Sequence, residues 1–207
     1  MPALSQPTLQ GSHVRLVPLS VDHLDDLVRV AAGPRESYRL TIVPEGAEAM
    51  RKYVETALAL RDAGAAVPFA TTRLADGRIV GSTRFANLEY WAWPSGSRAP
   101  PEPPDAVEIG WTWLAAEAQR SAINTEAKLL MLGHAFEQWR VRRVNLRTDS
   151  RNLRSRSAIE RLGAKLDGIL RAHMPASDGG VRDTATYSIL AEEWPAVKER
   201  LSLRLAR

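Results

Sequence analysis

Two β-rich runs constrain this chain more than any other feature. AVEIGWTWL (106–114) and VNLRTD (144–149) are each followed by a turn and then by a segment with helical periodicity. Strand, helix, strand, helix in this order sets the two strands side by side and parallel, because a parallel pair needs a long crossover and a helix supplies it. With a period of two, Val107, Ile109, Trp111 and Trp113 share one face of the first run, and Glu108, Gly110 and Thr112 the other. The helix between the runs carries Leu129, Leu132, Phe136 and Trp139 at spacings of three and four, one apolar face to lie on a sheet. NLRSRSAIERLG (152–163) is the second helix, stopped by Gly163.

The remaining segments extend this unit on both sides. GSHVRLVPL (11–19) is a short strand, and Ser20 caps a helix carrying Leu24, Leu27 and Val28. A further helix spans Ala47 to Asp62, with Met50, Val54 and Leu58 as its buried stripe and Gly64 as its stop. VPFATTRLADGRIVGSTRF (67–85) is a hairpin around Asp76-Gly77, a dipeptide suited to a type I′ turn. LDGILRAHM and VRDTATYSIL form a closing hairpin around Asp178-Gly179-Gly180. Trp93 to Asp105, WPSGSRAPPEPPD, is too rich in proline to be a strand and reads as an exposed loop, a candidate flap on the substrate side. The expected fold is therefore mixed α/β, a twisted sheet of about six to seven strands flanked by helices. Residues 1–207 read as one domain, with a core over about 9–191 and an accessory helix at 192–207 that repeats Val197, Leu201 and Leu205.

Composition removes several chemistries. With no cysteine, disulfide scaffolds, thiolate zinc sites and cysteine nucleophiles are excluded, and no metal site is expected. MPALSQPTLQG lacks a basic start and an apolar segment, and no run of about 18 apolar residues occurs. The reading is a cytoplasmic protein without a membrane partner. The net charge of +4 favours an anionic ligand, and Arg140, Arg142, Arg143, Arg147, Arg151, Arg154, Arg156 and Arg161 crowd one segment.

Just before that segment, QRSAIN (119–124) joins a strand to a helix. Such a turn presents unpaired N–H groups and the positive end of a helix dipole, which together hold phosphate oxygens. The residues themselves leave two readings, an anion cradle or a helix merely capped by Ser121 or Asn124.

Four pieces in order resemble the GNAT superfamily of N-acetyltransferases, in particular its RimJ/RimL-like branch. They are GSHVRLVPLSVDHLDDL, PFATTRLADGRIVGSTRF, EIGWTWLAAEAQRSAINTEAKLLML and RTDSRNLRSRSAIERLGAKLDGILRAHM, together covering about residues 9 to 191. The resemblance implies a GNAT fold, acetyl-CoA as cofactor and an amine as acceptor. It assigns Gln119, Arg120, Ser121, Ala122, Ile123, Asn124 and Thr125 to the coenzyme A pyrophosphate. Trp113 and Leu114, at the end of the preceding strand, and Asn152 and Ser155, at the start of the second helix, join them in the cofactor site. Ala122 departs from the pattern, which commonly has glycine there; a methyl group fits if its φ is negative, so binding is expected to persist with weaker affinity.

The chemistry so implied is attack of an amine on a thioester with departure of a thiolate. A base must take the proton of an ammonium with a pKa near about 10, N–H groups must steady the oxyanion, and the thiolate can take a proton. Glu108 is the candidate base, because its strand faces the acetyl group in the family and Gly110 and Thr112 leave room beside it; a solvated edge glutamate is the plain alternative. Asp183 or His173 on the closing hairpin are further candidates. Many members place a tyrosine seven residues after the helix-opening asparagine, where this chain has Ile159. Ser155 matches the serine proposed as acid in the RimJ/RimL-like branch, and a thiol pKa of about 8.5 makes the thiolate a fair leaving group unaided. Trp91, Trp93, Trp111 and Trp113 either line an acceptor site or fill core. A peptide N-terminus, a lysine and a small amine satisfy the same chemistry. A homodimer is allowed. The other readings are a non-catalytic acyl-CoA-binding module and, through the arginines, a nucleic-acid binder; no helix-turn-helix or aromatic RNA motif accompanies the latter, so nucleic acid is not the expected partner.

Overall fold

The computed structural model describes residues 4–99 and 102–206. Its strands are β1 (Leu9–Gln10), β2 (Val14–Pro18), β3 (Ala66–Arg73), β4 (Ile79–Glu89), β5 (Ala106–Leu114), β6 (Arg143–Asp149), β7 (Lys165–Pro175) and β8 (Val181–Leu190). They form one sheet in the order β1-β2-β3-β4-β5-β6-β8-β7, antiparallel except for the central β5/β6 pair. The strand beyond the expected seven is β1, two residues paired to β2 and too short to leave a periodic signal. The helices are α1 (Leu24–Ala31), α2 (Gly46–Asp62), α3 (Ala122–Gly133), α4 (Leu153–Leu162) and α5 (Trp194–Leu205). None of them is long and apolar enough to cross a membrane.

The sheet separates two apolar clusters. On one face Val107, Ile109 and Phe85 meet Ile123, Met131 and Leu132 of α3, Ile159 and Leu162 of α4, and Trp194, Val197 and Leu201 of α5. On the other, Leu27 of α1 and Met50 and Val54 of α2 meet Ala70, Ile79 and Trp113. Helix α2 stops as expected: Gly64 takes φ +71°, its N–H donates to the Arg61 carbonyl at 2.8 Å, and the Ala65 N–H donates to the Leu60 carbonyl at 2.8 Å. This is a Schellman closure, which satisfies carbonyls that the helix end leaves over.

A side-chain contact missed by periodicity ties α3 to the start of β2. Glu126 is buried and accepts the N–H groups of Ser12, His13 and Val14 at 2.8, 2.7 and 2.8 Å. Gly11 makes room for it, since a Cβ there would lie 2.3 Å from the Glu126 carboxyl carbon.

Two expectations need correction. The β3–β4 turn is not type I′: the loop has four residues, with the Arg73 N–H donating to the Arg78 carbonyl and the Gly77 N–H to the Arg73 carbonyl. Only Gly77 has positive φ, +71°, while the Asp76 carboxylate turns back onto Arg73 at 2.6 Å. The strict alternation along β5 also fails. Arg84 pairs with Gly110 but Ser82 with Trp113, so Trp111 and Thr112 together oppose Thr83, and Trp111 sits at φ +50°. This bulge shifts the phase by one residue. Thr112 turns towards α3, and Trp113 joins the α2 side, away from Val107 and Ile109.

Candidate active site

The parallel pair is short. β5 and β6 are in register at Ala106/Arg143, Val107/Val144 and Glu108/Asn145; beyond that β5 continues along β4 while β6 continues along β8. The strands therefore fork just past Glu108, and α3 and α4 start after their C-terminal ends. Crevices at such ends are where open α/β sheets hold ligands, and two helix N-termini beside one crevice favour an anion.

The turn into α3 is held from several sides. The Gln119 Nε2 donates to the Leu114 carbonyl at 2.8 Å and to Ser37 Oγ at 3.2 Å, and its Oε1 accepts from Arg154 of α4 at 2.7 Å. That last bond links the two helix starts. Ser121 is the N-cap; its Oγ accepts the Ile123 N–H at 3.3 Å and donates to the Ala118 carbonyl at 2.7 Å. Ala122 opens the helix with negative φ, and the left-handed position falls on Arg120, φ +59°. The methyl of Ala122 is thus conformationally harmless, and the N–H groups of Ala122 and Asn124 are left open in the first turn, ahead of Thr125, the first residue with a helical carbonyl four residues before it. At α4, the N-cap Asn152 accepts the Ser155 N–H through Oδ1 at 3.0 Å. Its Nδ2 turns to the Leu40 carbonyl at 3.4 Å, so the segment between α1 and α2 borders both helix starts.

Glu108 is not a solvated edge residue. It is 5% exposed, accepts the Asn87 amide at 2.8 Å and lies 3.4 Å from Arg147 Nε. Burial pushes its pKa above the ordinary carboxylate value, against the Asn87 hydrogen bond and the positive charges of Arg147 and Arg182. A second bulge aims Asn87: Ala86 pairs with Glu108 and Glu89 with Ala106, and Asn87 takes φ +48°. Gly110 leaves room for the carboxylate, since a Cβ there would stand 2.9 Å from Glu108 Oε1 and push it aside. The result is a shielded carboxylate of raised proton affinity at the mouth of a fork lined by N–H donors.

Residues 13–165 match the acetyltransferase (GNAT) domain family. The chain belongs to that family. Over 92 residues it is 33% identical to YdaF of Bacillus subtilis (strain 168), whose name assigns it provisionally to ribosomal N-acetylation; this is 44% of the chain and spans about half, 49%, of that relative. A GCN5-related N-acetyltransferase from Brucella melitensis has the same fold, with TM-score 0.83 at 26% identity over 99% of this chain and 87% of its own. RimJ of Mycobacterium smegmatis, solved in complex with CoA-disulfide, shares the fold with TM-score 0.78 at 20% identity, over 96% of this chain and 95% of its own.

Within this GNAT domain the other expected residues divide. The Leu114 carbonyl is occupied by Tyr38 Oη and Gln119 Nε2, both at 2.8 Å, and the Trp113 ring is core. Asp183 is engaged in the closing hairpin, accepting the Ala172 N–H at 2.8 Å, and His173 Nδ1 is 3.0 Å from Thr184 Oγ1. Ile159 is buried in the core. Trp91 and Trp93 pack on each other and donate to Glu89 and Asp105, anchoring one end of the proline-rich loop, within which Pro100 and Pro101 lie outside the described residues. Periodicity missed Asn87 and Arg147, which surround Glu108, although an asparagine suits a left-handed bulge position. It also missed Lys128, buried in α3 with Nζ donating to Thr112 Oγ1 at 2.6 Å and Thr83 Oγ1 at 3.1 Å.

Proposed function

We propose that the protein is an acetyl-CoA-dependent N-acetyltransferase in which Glu108 accepts the proton of the incoming ammonium. The observation that carries this reading is the shielded Glu108 carboxylate at the point where β5 and β6 part, beside two helix N-termini. Acetyl-CoA, when bound, supplies an acetyl group activated as a thioester. The first-turn N–H groups of Ala122 and Asn124 and the guanidinium groups of Arg120 and Arg154 suit its phosphates, with Gln119, Ser121, Ile123 and Thr125 shaping the turn, and Asn152 and Ser155 border the same crevice from α4. Raised proton affinity suits Glu108 to its task, because a base closer in pKa to the ammonium takes its proton more readily. Ser155 is the proposed proton donor to the departing thiolate.

A peptide N-terminus is the proposed acceptor class, supported by the name of YdaF and by a groove on the Glu108 side. Glu89, Trp91, Asn145, Arg147, Leu170 and Thr186 line that groove. The test is calorimetric titration with acetyl-CoA, then thiol release against N-terminal peptides, lysine peptides and small amines. Binding with turnover on N-terminal peptides is expected. Binding without turnover on any amine would make the protein an acyl-CoA-binding module, and no binding would remove the cradle.

A further inference from the structure

On the Glu108 side of the sheet, a deeply buried guanidinium lacks acceptors among the described residues. Arg84 of β4 is 2% exposed, and its Nε and Nη2 have no hydrogen-bond acceptor. Two aromatic rings hold the guanidinium, Tyr53 of α2 at 4.9 Å and Trp111 at 5.2 Å from ring centroid to Cζ. Arg84 stands opposite Gly110 and Glu108 opposite Ala86, which makes Arg84 and Glu108 diagonal neighbours on one face. Glu108 is already engaged by Asn87 and Arg147, so it is not the missing acceptor.

The two unpaired donors form one edge of the guanidinium, the edge whose parallel N–H groups match both oxygens of a carboxylate. A buried arginine that only filled space would be more stable as an apolar side chain, and buried donors without partners are rare enough to require a reason. Trp111, whose ring covers the guanidinium, lies on the bulge at φ +50° and is 45% exposed, which makes it the cover of Arg84 with most contact to solvent.

We propose that Arg84 is a specificity residue that pairs through its Nε/Nη2 edge with a carboxylate of the substrate. The proposal rests on the transferase reading for its setting. The carboxylate has two possible sources, an acidic side chain next to the acceptor amine or the far end of a dicarboxylic acyl thioester.

The test measures binding first, by calorimetry on the whole protein. Seryl-aspartyl amide is compared with seryl-asparaginyl amide in one arm, and succinyl-CoA with acetyl-CoA in the other. The acidic member of one arm is expected to bind at least ten-fold tighter than its neutral counterpart, and that arm names the source. Arg84→Gln should bring the ratio near one while leaving the neutral probe within three-fold. Arg84→Lys, which keeps the charge but loses the fork, should lower the ratio at least three-fold and serves if the glutamine variant does not fold. Equal binding of acidic and neutral probes in both arms, or a preference undiminished in the variants that fold, overturns the proposal. Thiol release from acetyl-CoA with the neutral acceptor reports on the transferase reading separately. Turnover without acid preference removes Arg84 alone, and acid preference without turnover removes the transferase reading alone.

Discussion

At the residue scale, two buried ionisable groups carry opposite consequences. Glu108 must be deprotonated to serve as base, and burial raises its pKa. The acid limb of kcat/KM is therefore expected above the ordinary glutamate value, and Glu108→Gln should lower kcat/KM about 100-fold and abolish that limb. A pH profile in the variant that keeps the limb would assign it to another group. Lys128 is depressed by burial to about 7. Below that pH it is protonated folded and unfolded, and the cost of the buried charge is fully present. Between about 7 and the ordinary value of 10.5 only the unfolded chain holds the proton, so stability rises with pH across that window, by up to about 1.4 kcal/mol per unit. Lys128→Met should therefore be more stable at pH 7, by about 1–3 kcal/mol, and lose the slope, because Thr83 and Thr112 retain each other at 2.8 Å. Denaturant melts from pH 6 to 10 measure both; a less stable variant with its slope intact would contradict the assignment.

At the element scale, α3 is positioned at both of its ends. Glu126 ties it to the first residues of β2 through three charge-assisted hydrogen bonds. Glu126→Ala leaves three N–H groups without acceptors and is expected to cost about 2–4 kcal/mol in denaturant unfolding. At the helix start, the left-handed residue is Arg120 and not Ala122. Arg120→Gly should raise stability by about 1 kcal/mol, since a non-glycine residue is strained there. The same change should weaken coenzyme A binding, because a positive charge beside the cradle is lost. Tighter binding by the glycine variant would show that the charge does not meet the phosphates.

At the scale of the whole molecule, the sheet is stabilised on the α3 face by elements distant in sequence. Helix α5 packs Trp194, Val197 and Leu201 into the same cluster as α3 and α4. It is part of the core, more than the accessory expected of residues 192–207. Leu201, 1% exposed, should cost about 2–5 kcal/mol when replaced by alanine. The loss should appear as one cooperative transition by far-UV dichroism and tryptophan fluorescence; a separate early transition would make α5 an independent unit.

Much of this was legible along the chain. Apolar periods, β-rich runs and the turn residues Asp76-Gly77 and Asp178-Gly179-Gly180 marked seven of the strands and the helices, Gly64 and Gly163 marked helix stops, and the strand-helix repeat required β5 and β6 to be parallel. These are local or nearest-neighbour effects, which the order of residues determines by itself. Tertiary structure decided the rest. Two bulges, at Asn87 and at Trp111, broke the alternation, and backbone register between strands leaves no mark in a single strand's pattern. The partners of Glu108, Lys128 and Glu126 come from other elements, and whether a charge is buried, paired or left open as in Arg84 depends on which elements fold against it.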